Sequence, residues 1–222
     1  MGALIIGVAG NPNVGLYGFA TDKYVLLSKE FPQKIVEAIE AALGVPAFQV
    51  EIAGTPLVGA FVNGNEDCLL APDIIFDSEA EKLKKAGINF RIIPTRLTCL
   101  GNNLLIGPKG AFANPEFSDA DIKLIEKALN IPVERKGFLD INAVGSLGAF
   151  NHKKLLIHHD LPAKDVRLIE RKLGVKVGLG TINMGNPYVK SGIISNKNGF
   201  IIGHASGGPE INNVEEVLGY LD

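Results

Sequence analysis

The sequence predicts an α/β protein whose chain closes into a pseudosymmetric ring of five ββαβ units. Three observations predict it: a helix stop that recurs five times, a hairpin signal that recurs in step with it, and a first strand that supplies what the last unit lacks. The helix stops are Leu43-Gly44-Val45, Ala86-Gly87-Ile88, Leu129-Asn130-Ile131 and Leu173-Gly174-Val175, spaced by 43, 43 and 44 residues. A fifth, Leu218-Gly219-Tyr220, follows 45 residues on. Gly and Asn enter the left-handed conformation that ends a helix, and the next apolar residue folds back onto the last turn.

Each unit opens on an apolar residue and glycine, or on Ser-Gly. These openings are Val14-Gly15, Val58-Gly59, Leu100-Gly101, Val144-Gly145 and Ser191-Gly192, at steps of 44, 42, 44 and 47. A strand, a tight polar turn and a second strand follow each one. The turns are Asp22-Lys23, Gly64-Asn65-Glu66, Pro108-Lys109-Gly110, Asn151-His152-Lys153 and Asn196-Lys197-Asn198-Gly199, residue types suited to positive φ or to local side-chain hydrogen bonds. The helix comes next. Ser118-Asp119-Ala120-Asp121 reads as a capping box, and Ile122, Ile125 and Leu129 share one face. Val166, Ile169 and Leu173 repeat that face in the fourth unit, as do Ile211, Val214, Leu218 and Leu221 in the fifth.

Extended segments follow the first four helices, at 48–52, 90–93, 133–138 and 175–179. The chain stops soon after the fifth helix, and the missing strand is expected at 4–8, pairing near 193–203. Closure removes open sheet edges. A unit of about 43 residues scarcely buries a core alone, so residues 1–222 are expected to fold as a single domain. An all-β propeller has a similar period, but it needs four strands per blade, and the chain has no tryptophan for a Trp-Asp blade signature.

With 222 residues, a net charge of −2 and a pI near 6.1, the chain has no basic surplus for binding nucleic acid through phosphates alone. Its apolar runs, such as 3–9, are too short to span a bilayer, and the start carries no basic region ahead of an apolar one. Cys68 and Cys99 lack paired-ligand spacing, which fits reduced thiols and a cytoplasmic setting.

Candidate chemistry is sparse. Cys68 enters an apolar strand and reads as a buried thiol, while Cys99 has no histidine near it in sequence. His158-His159 ends a strand, where neighbours point to opposite faces, so the pair is not expected to share an ion. Residues 178–185 are glycine-rich, but the third glycine is misplaced for a dinucleotide turn and no helix begins there. Lys82, Lys84 and Lys85 read as a solvated helix face, and Lys153-Lys154 as a hairpin turn. No catalytic residue, metal or cofactor is expected.

A five-fold ββαβ ring resembles the pentein fold, which guanidine-modifying hydrolases share with a ribosome anti-association factor. The hydrolases use a nucleophilic cysteine late in the chain, and nothing after Cys99 could serve. The sequence is similar over essentially its whole length to the archaeal form of the translation initiation factor 6 family. The likeness rests on Ile52-Ala53-Gly54 leading into Leu57-Val58-Gly59, on Arg96-Leu97-Thr98-Cys99-Leu100-Gly101-Asn102, on Val144-Gly145-Ser146, and on Gly180-Thr181-Ile182-Asn183 with Gly185. Pro56 and Ala60 stand where eukaryotic members often carry arginines, and the long eukaryotic tail has no counterpart after Asp222. The resemblance implies a non-enzymatic, monomeric factor. It would bind the large (50S) ribosomal subunit, through ribosomal proteins and a local rRNA loop, and keep the small (30S) subunit away. No membrane or small-molecule substrate is implied. The contact residues expected from it are Arg96, Leu97, Asn102 and Asn103, joined by Asn13, Asn142 and Asn186.

Overall fold

The computed structural model describes residues 3–221. It contains five three-stranded sheets. In each, the two hairpin strands are antiparallel and a third strand runs parallel to the second. The first sheet joins Gly18–Ala20, Val25–Ser28 and Ala47–Val50. The second joins Asn63–Gly64, Leu69–Pro72 and Phe90–Ile93, and the third Leu104–Ile106, Ala111–Ala113 and Val133–Arg135. The fourth joins Gly148–Asn151, Lys154–His158 and Lys176–Gly180. In the fifth, Ile193–Asn196 and Gly199–Gly203 take their third strand from the other end of the chain. Leu4–Ile6 lies parallel to Gly199–Gly203, with Leu4 opposite Ile201 and Ile6 opposite Gly203. The ring is closed as expected. Three of the third strands, Leu4–Ile6, Ala47–Val50 and Val133–Arg135, end earlier than expected because the chain turns sharply there, whereas Phe90–Ile93 matches its expected range and Lys176–Gly180 runs one residue further.

A helix separates the second and third strands of each unit: Gln33–Leu43, Asp77–Lys85, Asp119–Leu129, Ala163–Ile169 and Gly208–Leu218. The fourth continues through Gly174 as a π-helical turn. All five stops lie where the sequence puts them. Gly44, Gly87, Asn130, Gly174 and Gly219 each take positive φ. Ser118 and Asp121 form the expected capping box, the Ser118 hydroxyl accepting from Asp121 N and the Asp121 carboxylate from Ser118 N. No described helix is long and apolar enough to cross a membrane.

The core is divided among the units but owned by none. Leu26 of the first unit packs into the core of the second, and Leu70 of the second into that of the third. Leu105 and Phe112 pack into the fourth, Leu156 into the fifth, and Ile194 with Ile201 back into the first. A central strand such as Val25–Ser28 or Leu69–Pro72 is buried on both faces because each face serves a different core. One unit cut out would expose both.

The unit openings form the inner wall of the ring. A Cβ on Gly59 would lie 2.0 Å from the Gly15 carbonyl oxygen, one on Gly101 2.1 Å from that of Gly59, and one on Gly145 2.4 Å from that of Gly101. The fifth opening is not Ser191-Gly192, as the dipeptide pattern suggests, but Val189-Lys190. Val189 is fully buried, like Val14, Val58, Leu100 and Val144. The opening turn spans Val189–Gly192, and a Cβ on Gly15 would lie 1.9 Å from the Lys190 carbonyl oxygen. The packing, not the glycine, defines the repeat, so four glycines and one lysine line the inner wall.

The strand directions give the ring two unlike ends. All five hairpin turns and all five helix stops lie at one end; the helix starts and the connections between units lie at the other.

Candidate functional site

The end that carries the unit connections is built from clamped turns. Three of them place consecutive residues at positive φ, namely Ala9-Gly10, Ala53-Gly54 and Leu139-Asp140, and a fourth does so over Asn183-Met184-Gly185. A two-bond bridge pins each, as between Val8 and Asn11 or Ile52 and Thr55. Two of these turns are also held by the next helix. The Glu79 carboxylate accepts from Ala53 N and Gly54 N at 2.7 and 2.8 Å and from Phe76 N. Glu210 accepts from Met184 N, Gly185 N and Gly207 N and from the Thr181 hydroxyl. Burial alone would raise the Glu210 pKa, but the donors from Gly185, Thr181, Met184 and Gly207 outweigh it and hold the carboxyl below its usual range. An acid at the third helical position thus fixes both the helix start and the loop in front of it.

The connection between the second and third units departs from this pattern. It has no positive-φ pair. It runs through Pro94 and the buried Thr95, whose hydroxyl donates to Asp121 Oδ2 at 3.3 Å. Arg96 is exposed, and no described residue pairs with its guanidinium. Leu97 packs partly on the third core. Asn102 is half-exposed on the short helix Leu100–Asn103. Asn103 points inward: its amide donates to the Cys99 carbonyl and its Oδ1 accepts from Asn114 at 2.7 Å. It therefore supports the loop from beneath.

The other expected residues share this end. The Asn13 Oδ1 accepts from Ser191 Oγ at 3.2 Å and from Asn183 Nδ2 at 3.4 Å, and Asn186 donates to the same Ser191 hydroxyl. These bonds, with Asn183 Nδ2 donating to Pro12 O at 2.9 Å, stitch the fifth unit to the first. Asn142 is exposed and donates to Glu116. Three apolar side chains that the sequence reading passed over also stand out here: Met184 at 84% exposure, Phe76 at 56% and Tyr188 at 43%. Periodicity gives no sign of them, because turn geometry decides their exposure.

The remaining candidates fall elsewhere. Cys68 is buried and Cys99 half-buried, and burial pushes both thiols above their ordinary pKa. That is the reverse of what a nucleophilic thiolate needs. His158 and His159 do not point apart as strand neighbours would. The strand Lys154–His158 ends at the first of them, so the alternation stops, and the rings stack with centroids 5.2 Å apart and planes 3° apart. With Asp160 they bring three possible ligand atoms within 4.8 Å of one another. At the hairpin end a cavity of about 220 Å³ runs into the axis, with Gly15, Gly145 and Lys190 among its deepest lining residues.

Three comparisons with known proteins bear on these features. The model of the eIF-6 family matches residues 4–217. The chain is 34% identical to translation initiation factor 6 of Pyrococcus horikoshii over 217 residues, 95% of this chain and 96% of that one. It is also 34% identical to the factor of Haloquadratum walsbyi, over 96% of this chain and 95% of that one, and 30% identical to the factor of Saccharolobus islandicus, over 96% and 97%. Among solved structures, the fold resembles the N-terminal domain of ArgZ covalently bound to a reaction intermediate. The TM-score is 0.52 at 14% identity, over 87% of this chain and 74% of that one. DDAH from Pseudomonas aeruginosa, in complex with citrulline, gives 0.50 at 14% identity over 75% and 68%. At such identity these two establish a shared ring architecture and no shared chemistry.

Proposed function

The chain belongs to the eIF-6 family and is a translation initiation factor, and from that premise we propose that it binds the large (50S) ribosomal subunit and keeps the small (30S) subunit from joining. The observation that carries this reading is the family match across residues 4–217, together with a rigid, clamped face at the connection end of the ring. The action is steric. A 23.6 kDa ring seated on the joining surface occupies the volume the small subunit needs, and no bond is made or broken. Raised thiol pKa values at both cysteines favour this over a guanidine hydrolase. The factor works in the cytoplasm as a monomer, and a part in maturing the large subunit fits the same docked state.

The connection end is the contact surface. Arg96 offers a fork of donors, unpaired among the described residues, for a carboxylate or a phosphate, Asn102 and Asn142 offer amides, and Leu97 an apolar edge. The Asn13–Asn186 network and Asn103 hold the surface in shape. With a net charge of −2, the ring docks on basic ribosomal proteins more readily than on bare RNA, and contact with rRNA is local.

Sedimentation of purified subunits through a sucrose gradient tests the proposal. Excess protein should co-migrate with the large subunit and deplete joined ribosomes, and unchanged joining would refute it. Arg96→Glu and Asn102→Asp should each weaken binding by about 1–2 kcal/mol while leaving the unfolding transition in place. If both variants bind as the parent does, the surface lies elsewhere on the ring.

A further inference from the structure

Lys190 breaks the symmetry of the ring in a way the family reading does not use. Where four units place glycine at the inner wall, the fifth places a long basic side chain. It extends across the bore, and its ammonium donates to the carbonyl of Gly101, in the third unit, at 2.6 Å. That is its one hydrogen bond among the described residues, and none of their ion pairs includes it. Although the residue keeps some accessible surface, the ring encloses its ammonium, and desolvation lowers the pKa from 10.5 to about 7. A buried ammonium with no counter-charge costs stability. Glycine would avoid that cost and fit the ring.

The side chain forms the floor of the axial cavity, whose mouth is rimmed by the five hairpin turns. The other titratable groups lining it are Asp22, Glu66 and His152. The strand Lys154–His158 packs against the fifth opening turn and carries two further titratable groups, Lys154 and His158, outside the cavity lining. Between rim and floor the wall is largely apolar, with Leu104, Ile106, Ala149, Ile193 and Ile194.

The geometry points to this cavity as a binding site for a small organic monoanion, a carboxylate whose head meets the Lys190 ammonium and whose short apolar tail lies along the wall. The ammonium has donors left over after Gly101, which a carboxylate would satisfy. A single cation with two acids at the rim disfavours a dianion. The mouth lies at the opposite end from the connections, so the site stays open in a factor docked through them, and its occupancy is independent of that docking.

Sodium butyrate is the probe, with sodium phosphate and sodium chloride at matched ionic strength as controls. The Lys190 side-chain NMR signal of the full chain is assigned by its loss in Lys190→Met. At pH 6 butyrate should shift that signal saturably, and affinity should fall about tenfold for each pH unit above 7. Butyrate should also raise the Tm of the parent, but not of Lys190→Met or, should that variant fold poorly, of Lys190→Gly. A linear shift without saturation, equal thermal stabilisation of the variants, or phosphate binding as tightly as butyrate would each overturn the assignment.

Discussion

At the scale of single residues, the inner ring makes the sharpest demands. The Cβ distances of 2.0 and 2.1 Å at Gly59 and Gly101 are to backbone oxygens, which cannot step aside as a flexible side chain would. Gly59→Ala and Gly101→Ala should therefore each cost about 2–4 kcal/mol in denaturant unfolding, whereas Gly208→Ala, with open space around it, should be nearly neutral. Lys190 gives a second test. Its folded pKa of about 7 lies below its ordinary value of 10.5, so the unfolded chain binds the extra proton between those values. Stability relative to Lys190→Met should be lowest below pH 7 and recover as pH rises through 7 toward 10.5. Urea titrations at pH 6 and pH 10 check this, and a gap that does not narrow on going alkaline would contradict it.

At the scale of elements, the turns and helices of the connection end are coupled through acids at the third helical position. Glu210→Gln should lose about 1–2 kcal/mol at pH 7, because an amide accepts less well from Met184 N, Gly185 N, Gly207 N and Thr181. The carboxylate's folded pKa is lowered, so its contribution is present above the ordinary glutamate value and lost as pH falls through the folded one. The variant should accordingly be less acid-sensitive than the parent. How much of this was legible in the sequence depended on whether a residue type has one physical use or several. Gly44, Gly87, Gly174, Gly219 and even Asn130 were readable as helix stops because a left-handed residue there excludes most side chains. Ring closure was readable because a fifth unit without a third strand needs one from elsewhere. Asparagine has several uses: Asn102 faces out and Asn103 faces in, and only the backbone path between them separates the two. Lys190 was hidden because lysine ordinarily marks a surface, and the nearby Gly192 offered a better match to the dipeptide. Only the buried Val189 gives the true register.

At the scale of the whole molecule, five cores that each borrow side chains from a neighbour should unfold together. Chemical denaturation should give one transition, coincident by circular dichroism and tyrosine fluorescence. Removing the strand Leu4–Ile6 should destabilise all five units rather than the fifth alone, because Ile201 and Ile194 pack in the first core. The same interlocking keeps the two ends of the ring rigidly opposed, so a partner that holds one end leaves the other free. Hydroxyl-radical footprinting of the factor on purified large subunits tests that arrangement most directly. Leu97, Met184 and Tyr188 at the connection end should become protected from oxidation, while the exposed His152 at the hairpin end should react as it does in the free protein. Protection of His152 with Met184 and Tyr188 unchanged would contradict the account.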